Sequence, residues 1–266
     1  MSDSSDDSYK NQYSDAVINS IEMVYGEGYL SPGGDQSVAR ILDGMKISGK
    51  SVLEIGCGLG GGLITLARDH AAGQVLGIDL EDSVLDQARK RIASAELENI
   101  ISVQRTNPGP FPFEDNSYDI VVCKEMLCHI EDKLPFYAEI LRIIKPGGYL
   151  IGSDWLIGKS GPGTQAYENW RDHLKDSGLR FYFPPFEDTL RDFKDVGFKT
   201  VNLTDNSDWI MNISYENLQS VKGSAKQALC NALGKDGYDG IILRTEYRIE
   251  ALKNKALMHC NMRLQK

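Results

Sequence analysis

The first residues with chemical potential are an acid followed at once by a run of small residues. In the stretch VLEIGCGLGGG, residues 52–62, an apolar run contains Glu54 and is followed by Gly or Cys at six of the last seven positions. Glycines allow a backbone to approach a ligand closely, so we interpret this turn as a binding site for a nucleotide-like ligand. The spacing Gly56-x-Gly58-x-x-Gly61 also fits a dinucleotide fingerprint, which is weak evidence by itself.

The charge of Glu54 distinguishes two classes of ligand. A dinucleotide places its pyrophosphate at a helix N-terminus, where this carboxylate would repel it. S-adenosylmethionine carries an ammonium and a sulfonium and no phosphate, so an acid at this position favours it. Asp79, in GIDL at the end of the next predicted strand, can accept both ribose hydroxyls of either ligand. An NAD(P)-dependent oxidoreductase therefore stays as the alternative from another class.

Alternating strand and helix patterns position these residues. Short apolar runs predict strands at KSVLEIG, GQVLGIDL, NIISVQRT, YDIVVCKEM and GGYLIGSDWL. Helical spacing separates them in GGLITLARDHAA, EDSVLDQARKRIASAE and KLPFYAEILRIIK. Together with two later strands, FKTVNLTD and ALMHCNMRLQ, these runs predict an α/β fold with a doubly wound, mostly parallel, seven-stranded sheet. Ligands of such sheets bind at the carboxyl ends of the strands.

Further segments surround the predicted core. Residues 1–46 are predicted to form a short disordered tail and a helical N-terminal lid that is broken at GEGYLSPGG, and residues 47–266 to form the core. Two mainly helical insertions, at about 156–197 and 208–252, are expected to cap the carboxyl edge of the sheet. ALMHCNMRLQ is expected to be a last edge strand. A cap suits a reaction that must exclude water.

The composition excludes several classes of partner. A net charge of −9 argues against nucleic acid and anionic membrane surfaces. No apolar run approaches the roughly 20 residues that span a bilayer, and the acidic start MSDSSDDSYK is not typical of a signal or transit peptide. Five cysteines without a Cys-x-x-Cys pair predict reduced thiols, a cytoplasmic location and no metal site. We expect a monomer or homodimer that acts on a small molecule.

Two later stretches carry a resemblance to a known class. PFEDNSYDIVVCKEMLCHI and RIIKPGGYLIGSDW resemble the motifs that follow the glycine turn in class I S-adenosylmethionine-dependent methyltransferases, which have a Rossmann-like fold. The resemblance implies that S-adenosylmethionine is the cofactor. It assigns the methionine part to Glu54, Gly56, Gly58 and Gly60, the ribose and adenine to Asp79 and Leu80, the adenine flank to Thr106 and Asn107, and the surroundings of the transferred methyl to Lys124 and Glu125. Asn107 stands where the class usually has Asp, and its side-chain oxygen can still accept a hydrogen bond.

The N-terminal stretch is similar to a narrower family. NQYSDAVINSIEMVYGEGYLSPGG resembles the lid of phosphoethanolamine N-methyltransferases, and the similarity extends to YDGIILRTEYRIEALKNKAL near the end of the chain. In that family a lid tyrosine and a histidine form a dyad over the substrate amine, which implies that Tyr13 and His129 are the catalytic pair. Gln12, Leu30 and Ser31 correspond to lid contacts with the cofactor.

The chemistry of methyl transfer independently favours His129. The attacking atom needs a free lone pair close to the methyl carbon, and an ammonium lacks one, so an amine substrate needs a proton acceptor. His129 lies four residues after Glu125 and is expected on the same helical face. His70, His173 and His259 lack such a context and are interpreted as structural.

The sequence differs from the family at the residues that hold the substrate phosphate there. HLKDSGLRFY places Ser177 and Leu179 where the family has Arg and Tyr. Elsewhere Trp155 stands where the family has another phosphate-facing Tyr, and Arg244 where it has Lys. This loss predicts a smaller anion such as a carboxylate. The candidate substrate residues are Arg171, Arg180, Tyr182, Arg244, Trp155 and Trp170. The two tryptophans either face a methylated cation or pack in the core of the cap.

We therefore predict a methyltransferase acting on the N or S atom of a small polar zwitterion. Three acceptors stay open: the phosphoethanolamine series, a glycine betaine-type amine, and an amino-acid-like thioether or methylthio acid that yields a sulfonium osmolyte precursor. A thioether needs no base, because its sulfur already carries a lone pair.

Overall fold

The protein is built on a single seven-stranded sheet. A computed structural model describes residues 15–175 and 179–266. Within them the strand order is β3-β2-β1-β4-β5-β7-β6. The strands are β1 (Ser51–Ile55), β2 (Gln74–Asp79), β3 (Ile101–Arg105), β4 (Tyr118–Lys124), β5 (Ile144–Ile157), β6 (Thr200–Asp205) and β7 (Leu257–Gln265). β7 runs antiparallel to both its neighbours, and the other pairs are parallel.

All seven predicted strands are present, but the predicted position of the last one is wrong. β7 does not lie at the edge of the sheet, because it inserts between β5 and β6 and hydrogen-bonds to both. β6 is the edge strand instead. The alternation in LMHCNMRLQ reflects burial along a strand that is paired on both sides.

The helices, in chain order, cover both faces of the sheet and its carboxyl edge. They are α1 (Asp15–Tyr25), α2 (Gly34–Leu42), α3 (Gly61–Arg68), α4 (Asp82–Ser94), α5 (Lys133–Ile143), α6 (Gln165–Lys175), α7 (Phe186–Val196), α8 (Ser207–Lys222) and α9 (Lys226–Lys253). On one face, α2, α3 and α4 bury side chains against the sheet, and on the other face α5 and α7 do so. Burial on both faces explains the near-continuous apolar strands.

One helix of the predicted insertions does not cap the carboxyl edge of the sheet as expected. α7 lies inside the predicted cap at 156–197, yet it packs on the sheet, where Phe193 is fully buried and stacks on Tyr137 with ring centroids 4.2 Å apart. α6 and α9 form a separate apolar cluster around Trp155 and Trp170. Within the described residues, no helix is both long and apolar enough to cross a membrane.

Candidate cofactor and acceptor site

A cavity of about 390 Å³ lies at the carboxyl ends of the parallel strands. Its walls come from the turn after β1, the ends of β2 and β4, the segment between α1 and α2, and helices α6 and α9. The structure brings the following predicted residues to it: Leu30, Ser31, Glu54, Gly56, Gly58, Asp79, Leu80, Thr106, Asn107, Lys124, Glu125, His129, Trp155, Trp170, Arg180 and Arg244.

The glycine turn takes a conformation that other residues rarely adopt. Gly56 and Gly58 have φ of 74° and 50°, in the left-handed region that favours glycine. A Cβ on Gly56 would lie 2.5 Å from Cγ of Met126. The Gly58 N–H donates to Oδ2 of Asp79 over 2.9 Å, which ties the turn to the end of β2.

Glu54 places a buried acid behind this turn. Its side chain is only 3% exposed, and Oε2 has no hydrogen-bond partner in the described part of the chain. Burial raises the pKa of Glu54 to about 7, the nearby Lys124 lowers it, and Asp79 raises it further. An unpaired buried carboxylate oxygen in a cavity wall suits a cationic ligand group.

The ends of β2 and β3 offer further acceptors. Asp79 accepts hydrogen bonds from the backbone N–H groups of Gly58, Leu80 and Glu81 at 2.9, 2.7 and 3.2 Å, and burial raises its pKa despite these bonds. Oδ2, which accepts only the bond from Gly58, keeps a second lone pair for a hydroxyl donor. The hydroxyl of Thr106 is buried and has no partner within residues 15–175 and 179–266.

The segment between α1 and α2 closes over the turn. Leu30 lies close enough to Gly58 that a Cβ there would be 3.2 Å from Cδ1 of Leu30. Lys124 donates to the hydroxyl of Ser31, and its ammonium lies 5.6 Å from the ring centroid of Tyr29. Gln12 and Tyr13, the other predicted lid residues, lie outside the described residues.

Glu125 is held in the cavity wall by a network that begins on the sheet. Its Oε2 accepts from Nε1 of Trp155 at 2.9 Å, and its Oε1 pairs with Nε2 of His259 at 3.3 Å. Burial raises the pKa of Glu125, but the hydrogen bonds from His259 and Trp155 and the charge of Lys124 outweigh it, so the pKa lies below its usual range. Glu125 is therefore ionised at neutral pH.

The tautomer of His259 in this network is fixed by hydrogen bonds from Arg40 and Asn206. Arg40 donates to the side-chain oxygen of Asn206, so the amide nitrogen of Asn206 faces Nδ1 of His259, 3.1 Å away. Nδ1 then accepts, and the ring proton sits on Nε2, where it points to Glu125.

His129 reaches the cavity by a route that differs from the prediction. Glu125 has φ of 53°, and a 3₁₀ turn, Leu127–His129, follows it, so the two residues do not share the face of an α-helix as predicted. Nδ1 of His129 lies 2.8 Å from the carbonyl oxygen of Arg180. A carbonyl only accepts, so Nδ1 carries the proton and the neutral ring keeps its lone pair on Nε2.

Three predicted residues are not among those that line the cavity. Arg171 forms ion pairs with Glu168 and Asp172 instead. The hydroxyl of Tyr182 donates to Glu131 over 3.0 Å. Gly60 precedes α3 at its N-cap, where a Cβ would be 3.1 Å from Cβ of Ala88 on α4.

Two residues of the site were not singled out from the sequence. His259 was interpreted as structural, and no local pattern connects it with Glu125, 134 positions earlier. Arg248 also lines the cavity. Its only sequence signal is its position four residues after Arg244, which places both on one face of a helix.

Within the described residues, no three His, Cys, Asp or Glu side chains cluster so that they could hold a metal ion. All five cysteines are free thiols.

Comparison with known proteins defines the class of the chain. Residues 53–152 match a family model described as a methyltransferase domain. Together with the sheet order and the acid-glycine turn, this match gives the chain the Rossmann-like fold of class I S-adenosylmethionine-dependent methyltransferases.

The chain is also similar to members of a narrower group of methyltransferases. The chain is 27% identical to phosphoethanolamine N-methyltransferase 1 of Arabidopsis thaliana over 232 residues, which cover 87% of this chain and 45% of that protein. It is 27% identical to the phosphoethanolamine N-methyltransferase of Plasmodium falciparum, over 75% of this chain and 73% of that protein. The chain thus spans less than half the length of the plant relatives.

A solved structure has the same fold over nearly the whole chain. Phosphoethanolamine N-methyltransferase 2 of Haemonchus contortus, in complex with phosphomonomethylethanolamine and S-adenosylhomocysteine, matches with a TM-score of 0.86 at 24% identity. The match covers 96% of this chain and 58% of that one.

Proposed function

We propose that the protein methylates the N or S atom of a small zwitterionic metabolite. One cavity contains the acid-glycine turn, an ionised carboxylate beside aromatic rings, and three arginines, Arg180, Arg244 and Arg248. Opposite charges on different walls of one small cavity suit an acceptor that carries both a cation and an anion. The similarity to phosphoethanolamine N-methyltransferases supports the same substrate class.

The turn and the lid segment would hold the cofactor. Glu54, whose Oε2 lacks a partner, suits the ammonium of its methionine part, and Asp79 and Thr106 suit the ribose and adenine. Gly56, Gly58, Leu80, Asn107, Leu30 and Ser31 would complete this half of the cavity. When bound, S-adenosylmethionine supplies an electrophilic methyl group.

Glu125 and the ring faces of the two tryptophans would hold the methylated end of the acceptor. Trp155 and Trp170 both line the cavity, and their ring centroids lie 6.4 Å apart. Aromatic faces and a carboxylate attract ammonium and sulfonium groups. A wall of this kind favours the cation that methyl transfer produces, whether the attacking atom is nitrogen or sulfur.

The tautomer of His129 is the observation that most supports methylation of a nitrogen atom. The bond from Nδ1 to the carbonyl of Arg180 leaves Nε2 as a proton acceptor in the wall of the cavity. An acceptor amine must lose a proton before its lone pair can attack. The resemblance to phosphoethanolamine N-methyltransferases gives Tyr13 as the partner of His129.

A test follows from the difference between amines and thioethers. We expect His129→Ala to lower the rate of N-methylation by about 10²- to 10⁴-fold, the usual contribution of a general base. A thioether acceptor should lose much less. The measurement is a panel of carboxylated amines, phosphoethanolamine and carboxylated thioethers with S-adenosylmethionine, and the methylated product is detected by mass.

The matched control is His70→Ala, because His70 lines a separate surface pocket away from this cavity. It should leave all rates unchanged. Near-normal N-methylation by the His129→Ala variant would rule out the base. Methylation of thioethers alone by the wild-type protein would favour the sulfonium alternative.

A further inference from the structure

Arg248 is a buried cation without an anionic partner. Its side chain on α9 is 3% exposed. Nε donates to the hydroxyl of Ser214 at 3.0 Å, and Nη1 donates to the hydroxyl of Tyr25 at 3.1 Å. Among the described side chains, of residues 16–175 and 179–266, Nη2 has no hydrogen-bond partner and no carboxylate pairs with the guanidinium.

Such an arrangement is costly in a protein that binds nothing there. A buried charge loses its hydration, and neutral hydroxyls compensate for only part of that loss. Arg248 lines the cavity, so an anion that enters the cavity can supply the missing partner.

Two further residues that line the cavity carry donors without acceptors in the described part of the chain. Arg244 lies four residues before Arg248 and therefore on the same face of α9. It lines the cavity and makes no ion pair or hydrogen bond in the described part of the chain. Nε1 of Trp170 is buried and has no partner either, and its helix α6 packs on α9.

We infer that Arg248, Arg244 and Trp170 form a subsite for a carboxylate of the methyl acceptor. This inference rests on the proposed function, because it assigns the anionic end of the zwitterion. A carboxylate offers about four acceptor positions on two oxygens. Nη2 of Arg248, Nε1 of Trp170 and the planar fork of Arg244 can fill them. Arg248 has Nε and Nη1 already engaged, so it contributes one nitrogen and not a second fork.

The first test changes the charge at Arg248. We expect Arg248→Met to lower kcat/KM for a carboxylated acceptor about 10- to 100-fold, the range of a charge-assisted hydrogen bond, mainly through KM. The carboxamide of the same acceptor should lose little. Arg248→Lys should recover part of the loss. Arg171→Met is the matched control, since Arg171 pairs with surface acids, and it should change neither acceptor.

A second test needs no methyl acceptor. With S-adenosylhomocysteine bound, acetate should raise the Tm of the wild-type protein more than chloride does at equal ionic strength. The rise should disappear in Arg248→Met. It should diminish in Trp170→Phe, which removes a donor that makes no hydrogen bond in the ligand-free protein and so should fold normally.

These outcomes separate the two proposals. If no zwitterion is methylated but the acetate shift behaves as expected, the proposed function fails and the subsite stands. If zwitterions are methylated but Arg248→Met affects the carboxylate and the carboxamide equally, the subsite is wrong. A lower Tm with unchanged KM would make Arg248 structural, and a greater shift by inorganic phosphate than by acetate would overturn the choice of a carboxylate.

Discussion

At the scale of single residues, we expect Glu54 to have opposite effects on stability and on binding. Its carboxyl group is buried with one oxygen unpaired, and burial raises its pKa from 4.5 to about 7. Between these values the folded protein binds more protons than the unfolded chain. The free energy of unfolding therefore decreases as the pH rises from about 4.5 to 7.

We expect Glu54→Gln to stabilise the ligand-free protein at pH 8. The gain should be up to about 3 kcal/mol, since each pKa unit corresponds to about 1.4 kcal/mol, and it should disappear near pH 4.5. Urea unfolding at both pH values measures it. The same variant should bind S-adenosylhomocysteine at least about 10-fold more weakly, because the ammonium loses its counter-charge. A variant that is less stable than the wild type at pH 8 would contradict this explanation.

Residue types at strand ends could be predicted, and partners distant in sequence could not. Glu54 and Asp79 were found because strands and turns are local patterns and parallel strands end at one edge. The contact of His259 with Glu125 depends on where β7 inserts, which no local pattern specifies. The role that we infer for Arg248 depends on its burial without a carboxylate partner among the described side chains, and a sequence does not reveal which acids are near.

At the scale of elements, α3 is hydrogen-bonded to the segment between α1 and α2, which covers the glycine turn. The Gly61 N–H donates to the carbonyl of Gly28 at 3.0 Å, and the hydroxyl of Tyr29 donates to the carbonyl of Gly61 at 3.1 Å. A Cβ on Gly61 would lie 2.7 Å from the carbonyl oxygen of Gly28. The added Cβ would contact backbone atoms, so neither segment can move away without a substantial cost in free energy.

We expect Gly61→Ala to push this segment away from the turn. The free energy of unfolding should decrease by about 1–3 kcal/mol, as for other overpacked positions, and the affinity for S-adenosylhomocysteine should decrease because Leu30 and Ser31 move. Gly240→Ala on α9 is the control. Its Cβ would meet no atom within 4 Å, so it should stabilise the helix by about 0.5–1 kcal/mol. Calorimetry and thermal unfolding test both, and equal behaviour of the two variants would show that the contact is unimportant.

Helices and strands were easier to predict than their placement. The periodicity of FEDTLRDFKDV does not tell whether α7 covers the sheet or the cavity, because both environments need one apolar face. His129 was expected on the same helical face as Glu125, but the positive φ of Glu125 changes the direction of the chain at the end of β4. Such local exceptions are typical of functional sites.

At the scale of the whole molecule, one hydrogen-bonded chain connects the surface with the cavity. It passes from Arg40 on α2 through Asn206 and His259 to Glu125. Asn206 and His259 are 3% and 1% exposed. Elements far apart in sequence thus share in orienting one carboxylate.

We expect Asn206→Ala to lower the free energy of unfolding by about 1–3 kcal/mol, because Nδ1 of His259 would stay buried without a partner. Acceptor turnover should fall, and S-adenosylhomocysteine affinity should not change. Asn202→Ala, at an exposed position of β6, is the control and should stay within about 0.5 kcal/mol. Denaturant unfolding and product assays measure both. Full turnover in the Asn206 variant would show that Glu125 keeps its position without the chain.

The insertion of β7 between β5 and β6 has a consequence for synthesis on the ribosome. Residues 257–265 are translated after both strands that they join. Until they emerge, β5 lacks its second neighbour and Glu125 lacks the imidazole of His259. A nascent chain can form the part of the cavity around the glycine turn early, and it can complete the part around Glu125 only once this late strand has inserted between β5 and β6.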